Sequence, residues 1–478
     1  MSEWTTHSLP LIGGIVHFLS AMAVTVDAVL RKRHVQAVIS WVGIAWLVPI
    51  LGAAAYACFG VNRIRRRATA LNVTARRPSP SGSPPALPEE APPAGDQSLP
   101  GLARLAERVT GERLSAGNAI VPLDGGDAAF PEMLDCIAGA RRSLGLQTYI
   151  FDADAVGLQF VEALAAAHDR GVEVRVLIDD IGARYSRPRT ARLLKARGVP
   201  VATFLPTHVP RLFRYANLRN HRKILVVDGR TGFTGGMNLR AGHWLTLAPR
   251  HPVRCLHFRV EGPLVRELMR TFAMDWNFTT GETLDGPLWF PAPVRAGNIV
   301  ARGIPDGPDE SLGSLPDIML GALACARQRV RIVTPYFLPD EVLLRALHVT
   351  ALRGVDVAIV LPARSNVPLV DWAMQPQLGE LLSRGCRIFL SPPPFDHAKL
   401  FVVDGCWSLI GSANWDARSL RLNFEYNIEC YDGALAAHLE ALVEARIRAA
   451  QRLTTDRLDT RPALRLRNGL ARLLSPYL

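Results

Sequence analysis

Two histidines, each with a lysine two residues on, mark where this chain could do chemistry. Residues 221–228 read HRKILVVD and residues 397–404 read HAKLFVVD. Both are H-x-K-x-x-x-x-D: His221, Lys223 and Asp228 in the first copy, His397, Lys399 and Asp404 in the second. Each copy runs on into glycine and reaches an asparagine 17 residues after its histidine, Asn238 and Asn414. One such match arises easily on a solvated strand. Two with the same downstream spacing point to two halves built alike and one active site assembled from both.

The residues after each histidine alternate as a strand does, and a period of two places His and Lys on one face. Imidazole, with an ordinary pKa of roughly 6.5, can attack phosphorus or carry a proton at neutral pH. Lysine supplies positive charge for the non-bridging oxygens of a phosphate while its leaving oxygen departs. With two copies face to face, one histidine can be the nucleophile and the other first acid and then base. Asp228 and Asp404, each followed by Gly, suit either a place in the site or a carboxylate that closes a strand into a turn.

The surrounding elements repeat as well. Residues 131–141 (PEMLDCIAGAR) recur approximately as 316–327 (PDIMLGALACAR), a helix with apolar spacings of three and four. A strand ending in Tyr149-Ile-Phe151 corresponds to one ending in Tyr336-Phe337, and Arg170-Gly-Val-Glu-Val to Arg353-Gly-Val-Asp-Val, where Gly closes a helix and a buried strand begins. Strands alternating with helices argue an α/β sheet covered on its faces. The spacing predicts halves at residues 115–295 and 296–478, with the two motifs meeting at a pseudo-two-fold interface.

Ahead of the halves lie two apolar runs. Leu9–Leu30 is interrupted only by His17 and Asp27, and Val35–Gly60 has no Asp, Glu, Lys or Arg. At 1.5 Å per residue either run crosses a hydrocarbon core of about 30 Å, so residues 1–67 read as a two-helix transmembrane hairpin. A cleaved signal would need a basic start, and residues 1–8 have no Lys or Arg. Asp27 falls near a helix end, where it reads as interfacial, and Trp41, Trp46 and Tyr56 suit interfacial anchoring or helix packing. Arg31, Lys32 and Arg33 lie between the runs, and Arg63, Arg65, Arg66 and Arg67 follow them; the balance favours a cytoplasmic catalytic region. Residues 68–114 read as a linker. Within it 77–100 is rich in Pro, Ser and Gly, an extended tether, followed by an amphipathic piece at Leu102–Val109.

A net charge of +12 and a pI near 9.8 imply an anionic partner, acidic lipid or nucleic acid. The apolar runs favour lipid. Seven scattered cysteines show neither a disulfide framework nor a CxxC pair, which suits a reducing compartment and argues against zinc. Residues 208–219, basic and aromatic, read as a positive rim or a solvated loop, and residues 463–474 (ALRLRNGLARLL) as an amphipathic helix on anionic lipid or an edge helix.

The text from 396 to 429, DHAKLFVVDGCWSLIGSANWDARSLRLNFEYNIE, resembles the phospholipase D superfamily, and within it bacterial cardiolipin synthase. The resemblance rests also on Gln147-Thr-Tyr149-Ile-Phe151, Asp179-Asp-Ile-Gly182, Thr334-Pro-Tyr336-Phe337 and residues 361–366 (LPARSN), and covers most of the chain from about residue 115. It implies two phospholipase D-type α/β/α halves behind the hairpin, in the bacterial cell membrane. It also implies condensation of two phosphatidylglycerol molecules into cardiolipin and glycerol through a phosphohistidine, without metal or cofactor. His221 would be the nucleophile, His397 the acid and base, Lys223 and Lys399 the phosphate ligands, and Asn238, Ser412 and Asn414 further donors. In the family an acidic residue downstream of each motif orients its histidine. Glu425 would serve His397, while the corresponding position for His221 is Cys255. A phospholipase D-type hydrolase or another acceptor remains open on the same residues; two membrane spans weigh against a nuclease, and two intact motifs against a scaffold with a decayed site.

Overall fold

A computed structural model describes residues 3–31, 35–57, 99–206, 218–308, 313–458 and 461–475. The chain divides into two units, Met1–Arg67 and Ala68–Leu478. In the first, helix α1 (Glu3–Arg31) contains the apolar stretch Leu11–Arg31, long enough to cross a membrane. The second apolar run is not one helix. It forms α2 (Val35–Leu47), a turn, and α3 (Leu51–Ala55), because Pro49 has no amide hydrogen to continue the ladder and Ile50 takes φ 60°. Among the described residues α1 is therefore the one helix of spanning length. Trp46 Nε1 donates to Thr25 Oγ1 (3.0 Å) and Tyr56 OH to Asp27 Oδ2 (2.8 Å). These side chains tie the helices together, and Asp27 also pairs with Arg31 at 2.8 Å.

Of the tether expected at 77–100, residues 77–98 lie outside the described residues, as do 208–217 of the basic stretch at 208–219. The end of the expected linker is structured. Helix α4 (Leu99–Thr110) buries Leu102 and Ala106 in the core of the second half. It approaches so closely that a Cβ on Gly321 would stand 2.4 Å from Leu105 Cδ2. Arg302 fastens it by donating to the Ala103 carbonyl (2.9 Å).

The first half contributes strands β1 (Ser115–Asp124), β2 (Ser143–Thr148), β3 (Glu173–Asp179), β4 (Val201–Phe204), β5 (Ile224–Val227), β6 (Thr231–Gly235) and β7 (Leu256–Glu261). The second contributes β8 (Ile299–Asp306), β9 (Arg329–Val333), β10 (Asp356–Pro362), β11 (Arg387–Ser391), β12 (Leu400–Val403), β13 (Trp407–Gly411) and β14 (Asn423–Tyr431). They form one continuous sheet, β11-β10-β9-β12-β13-β14-β8-β1-β7-β6-β5-β2-β3-β4. The order inward from β4 repeats inward from β11, and the halves join through the antiparallel β1–β8 pair. The inner strands β5 and β12 are β-branched or apolar throughout and buried on both faces, as a sheet covered on two sides requires.

Helices α5 (Gly126–Gly139), α6 (Ala155–Asp169) and α7 (Thr190–Ala196) pack on the first half around Met133, Phe160 and Leu194. Their counterparts α9 (Ser314–Cys325), α10 (Glu341–Leu352) and α11 (Pro368–Ser383) pack on the second around Ile318, Leu347 and Leu378. The opposite face carries α8 (Leu264–Thr280) and α12 (Gly433–Ala449) over a core that both halves share, including Phe258, Phe272, Tyr426 and Leu439. Gly171 and Gly354, at φ +86° and +87°, turn the chain from α6 and α10 into the next parallel strand. Helix α13 (Pro462–Arg472) lies against α11.

Candidate active site

Each motif enters its strand through a two-residue bridge to the other half. Arg219–Asn220 pairs in parallel with Asn423–Phe424, and Phe395–Asp396 with Val253–Arg254. The amide of His221 donates to the Phe424 carbonyl (2.9 Å) and that of His397 to the Arg254 carbonyl (2.7 Å). Each histidine is thereby placed beside the residue that follows in the opposite half. The expected pairing of acids is reversed as a result. Glu425 holds His221, not His397: Nδ1 stands 3.0 Å from both carboxylate oxygens. Cys255 lies beside His397, its Sγ 3.8 Å from Nδ1.

The two environments differ at three matched positions. Glu425 accepts hydrogen bonds from His221, from Ser412 Oγ (2.5 Å) and from Asn423 Nδ2 (3.1 Å). Across the pseudo-dyad the corresponding residues are Gly236, Val253 and Cys255, none of which can hold or supply a carboxylate. The Gly236 carbonyl takes over instead, accepting from His397 Nδ1 at 3.1 Å. A carboxylate or carbonyl at Nδ1 fixes the proton there and leaves Nε2 with its lone pair in both rings. Since the carbonyl and not the thiol holds the ring, Cys255→Ala is expected to retain kcat within about threefold, because only a weak sulfur contact is lost. Steady-state kinetics of that variant is the check.

Each lysine curls back to its own histidine: Lys223 Nζ donates to the His221 carbonyl (2.6 Å) and Lys399 Nζ to the His397 carbonyl (2.7 Å). Burial lowers the pKa of Lys223 to about 7, with Glu425 opposing the shift and Lys399 adding to it, and burial lowers that of Lys399 to about 8 against the opposing charges of Cys255, Glu425, Asp416 and Asp396. His221 is lowered to about 4 by burial, with Glu425 opposing the shift and both lysines adding to it. Burial and Lys399 first, then His243, Lys223 and His221, carry His397 well below the ordinary imidazole value. Burial pushes Glu425 up, but His221, Lys223 and Ser412 outweigh it and hold it below the usual carboxylate value. Charges of the two motifs thus act on one another within one buried site.

A sequence model described as "Cardiolipin synthase, PLD-like domain" matches residues 133–276 and 319–447. The chain is 33% identical to the major cardiolipin synthase of Bacillus subtilis over 76% of both proteins. It is also 33% identical to cardiolipin synthase A of Pseudomonas fluorescens over the full length of both. The chain belongs to the cardiolipin synthase family. It is a phosphatidyltransferase of the cardiolipin synthase type, with the phospholipase D fold. A solved phosphatidylserine synthase from Haemophilus influenzae shares that fold, with a TM-score of 0.60 at 15% identity over 79% of this chain and 100% of its own.

In this cardiolipin synthase-type site not every expected residue reaches the cleft. Asp228 and Asp404 sit past the far ends of β5 and β12, five residues or about 16 Å along a strand from the lysines. Both adopt left-handed backbone, φ 53° and 52°. Asp228 accepts from the amides of Arg141, Arg142 and Ser143, and Asp404 from those of Arg327, Gln328 and Arg329. They are turn-closing carboxylates that tie the motif strand to its neighbour, a correction to a catalytic reading. Ser412 and Glu425 are wholly buried and orient His221. Asn238 Oδ1 accepts from the Ile150 amide (3.2 Å), so it secures the end of β2. Asn414 is buried and interacts with Asp416.

Other residues reach the site without having been assigned to it. Tyr149 and Tyr336, just beyond β2 and β9, set their rings edge-on to His221 (5.2 Å) and His397 (6.3 Å) as two matched walls. Their place in the repeat was visible; their approach was not. Arg222 and Asn220 are held by Asp275 of α8, which Arg222 Nη1 meets at 2.7 Å and Gln147 Nε2 at 2.6 Å. Truncating one member of such a buried pair strands the other, so Asp275→Ala is expected to cost about 3–5 kcal/mol of folding free energy. Denaturant unfolding would measure it.

Proposed function

We propose that the two motifs form one site that condenses two phosphatidylglycerol molecules into cardiolipin and releases glycerol. The observation that carries this reading is the pair of His-Lys units, one from each half, with both lysines buried, one histidine on a carboxylate and the other on a carbonyl. His221 Nε2 attacks the phosphorus of the first lipid, the P–N bond forms, and the P–O bond to the headgroup glycerol breaks. The departing oxygen takes its proton from His397 Nε2. A phosphorylated imidazole that keeps its Nδ1 proton is cationic, and Glu425 stabilises that cation on His221; Gly236 offers His397 only a neutral dipole. His397 takes up the proton it delivers as the anionic phosphodiester enters and offsets the field of the two lysines. In the second half-reaction His397 removes the proton from the terminal hydroxyl of another phosphatidylglycerol, whose oxygen displaces His221 from phosphorus. Lys223 and Lys399 bind the non-bridging oxygens, while the N-terminal apolar unit anchors the chain in the bacterial cell membrane with this site on the cytoplasmic side.

The test uses the full-length protein in mixed micelles with phosphatidylglycerol as the sole phospholipid. Cardiolipin and glycerol in equal amounts are expected; phosphatidic acid would move the protein to the hydrolases, and no turnover would overturn phosphatidylglycerol as substrate. The lysines make the reaction sensitive to alkali. Both are cationic below the lowered values of about 7 and 8 and lose charge above them. So kcat/KM is expected to fall as pH rises from 6.5 to 9, mostly through KM, because bound phosphate restores the charge. A pH series of initial rates checks the sign.

A further inference from the structure

Helix α13 carries two faces. At 100° per residue, Leu464, Asn468 and Ala471 fall on one side; Asn468 and Ala471 are buried. Leu466, Leu470 and Leu473, spaced by four and three, fall on another and are exposed by 66%, 56% and 73%. Arginines flank that apolar stripe, Arg465 and Arg472 on one side and Arg467 on the other, and residues 461–474 contain no Asp or Glu. An exposed stripe of leucines edged only by positive charge suits the interface of an anionic leaflet, where the apolar face sinks about 5–10 Å and the cations stay among the headgroups.

The position of the helix gives the pattern a purpose. The Arg467 guanidinium lies 4.6 Å over the ring of Trp372, in the first turns of α11. That helix begins two residues after Asn366, which accepts from Tyr336 OH at 2.6 Å, and the Tyr336 ring stands edge-on to His397. Trp372 and Val367 are themselves 37% and 38% exposed. A short chain of contacts therefore joins the leucine stripe to the catalytic histidine.

We infer that α13, with the start of α11, docks the catalytic unit on a leaflet rich in anionic phospholipid, so that a headgroup enters the cleft without its chains leaving the bilayer. This deepens the lipid-transfer reading and rests on it for its purpose, but its test reads contact and not turnover. Full-length Leu470→Cys protein, labelled with an environment-sensitive fluorophore and read against the unsubstituted chain labelled alike, is reconstituted in vesicles with or without phosphatidylglycerol. In the anionic vesicles the emission is expected to shift to the blue, to be quenched by shallow lipid-borne nitroxides, and to lose part of this in high salt. An unshifted, unquenched label overturns the proposal. So does equal quenching in zwitterionic vesicles, or a shift in lipid-free detergent that grows with protein concentration, which would make the stripe an interface between copies. A second variant, Leu466→Asp with Leu470→Asp, is expected to raise the surface lipid fraction for half-maximal rate at least about tenfold on vesicles, the factor that losing the transfer energy of even one of the two leucines would give. Its kcat on dispersed short-chain substrate should be unchanged. An unchanged vesicle half-saturation would overturn docking even where the label moves.

Discussion

His221→Ala is expected to lower kcat by about 10⁴-fold or more, the scale of removing a covalent nucleophile, and to abolish any phosphorylated protein. His397→Ala removes an acid and base and is expected to cost about 10²–10⁴-fold, with a different signature. Given a lipid whose headgroup leaves without protonation, such as a nitrophenyl phosphodiester, the His397 variant should complete the first half-reaction and stall before the second. Phosphohistidine survives an alkaline quench, so a phosphatidyl adduct should then be found by mass spectrometry on the peptide that contains His221. An adduct on His397 in the His221 variant, and none in the reverse case, would exchange the two roles. The protein's asymmetry makes the assignment testable: of the two motif histidines, His221 has a carboxylate at Nδ1, 3.0 Å away, and His397 a backbone carbonyl.

Glu425→Gln is expected to reduce kcat by about 10²–10⁴-fold, as when a buried carboxylate behind a catalytic imidazole becomes an amide, with little change in KM. In the proposed reaction the carboxylate fixes the Nδ1 proton and stabilises the cation that forms on His221, and an amide of the same size would do neither. A merely structural role would leave the pH profile alone. Here wild-type activity should persist in mild acid, because Glu425 stays ionised below the usual carboxylate range, whereas the variant should be impaired at every pH. Ser412→Ala, which removes one donor to Glu425, should cost about tenfold, within the range for outer partners of a catalytic group. If the Glu425 variant kept wild-type kcat, the division of labour between the histidines would fail, because among the described residues Glu425 is what distinguishes their surroundings most strongly. The Cys255→Ala result then becomes the matched control from the other half.

The two halves, their paired helices and the alternating strands were legible because each repeated unit carries its own pattern: apolar spacings of three and four in α5 and α9, Gly171 and Gly354 at the helix ends, unbroken apolar runs in β5 and β12. The second apolar run was legible as composition but not as one helix, since Pro49 acts through geometry that a count of apolar residues ignores. Helix α4 was recognisable as amphipathic, yet its place on the second half depends on Gly321 and Arg302, some 200 residues further on.

By itself the sequence marked the two His-Lys pairs as the candidate catalytic groups, because the chemistry of phosphoryl transfer calls for histidine and lysine at short, local spacing, and local spacing is written in the chain. Only the tertiary structure decided which acid serves which histidine and which motif residues stay outside the cleft. The acid lies 204 residues from its histidine. Its choice is made by two-residue parallel bridges between the halves, where hydrogen bonding of the backbone, indifferent to side-chain identity, sets Phe424 beside His221 and Arg254 beside His397. The aspartates closing the motifs were likewise placed by strand length, which carries them to the opposite end of the sheet from the lysines they accompany in sequence.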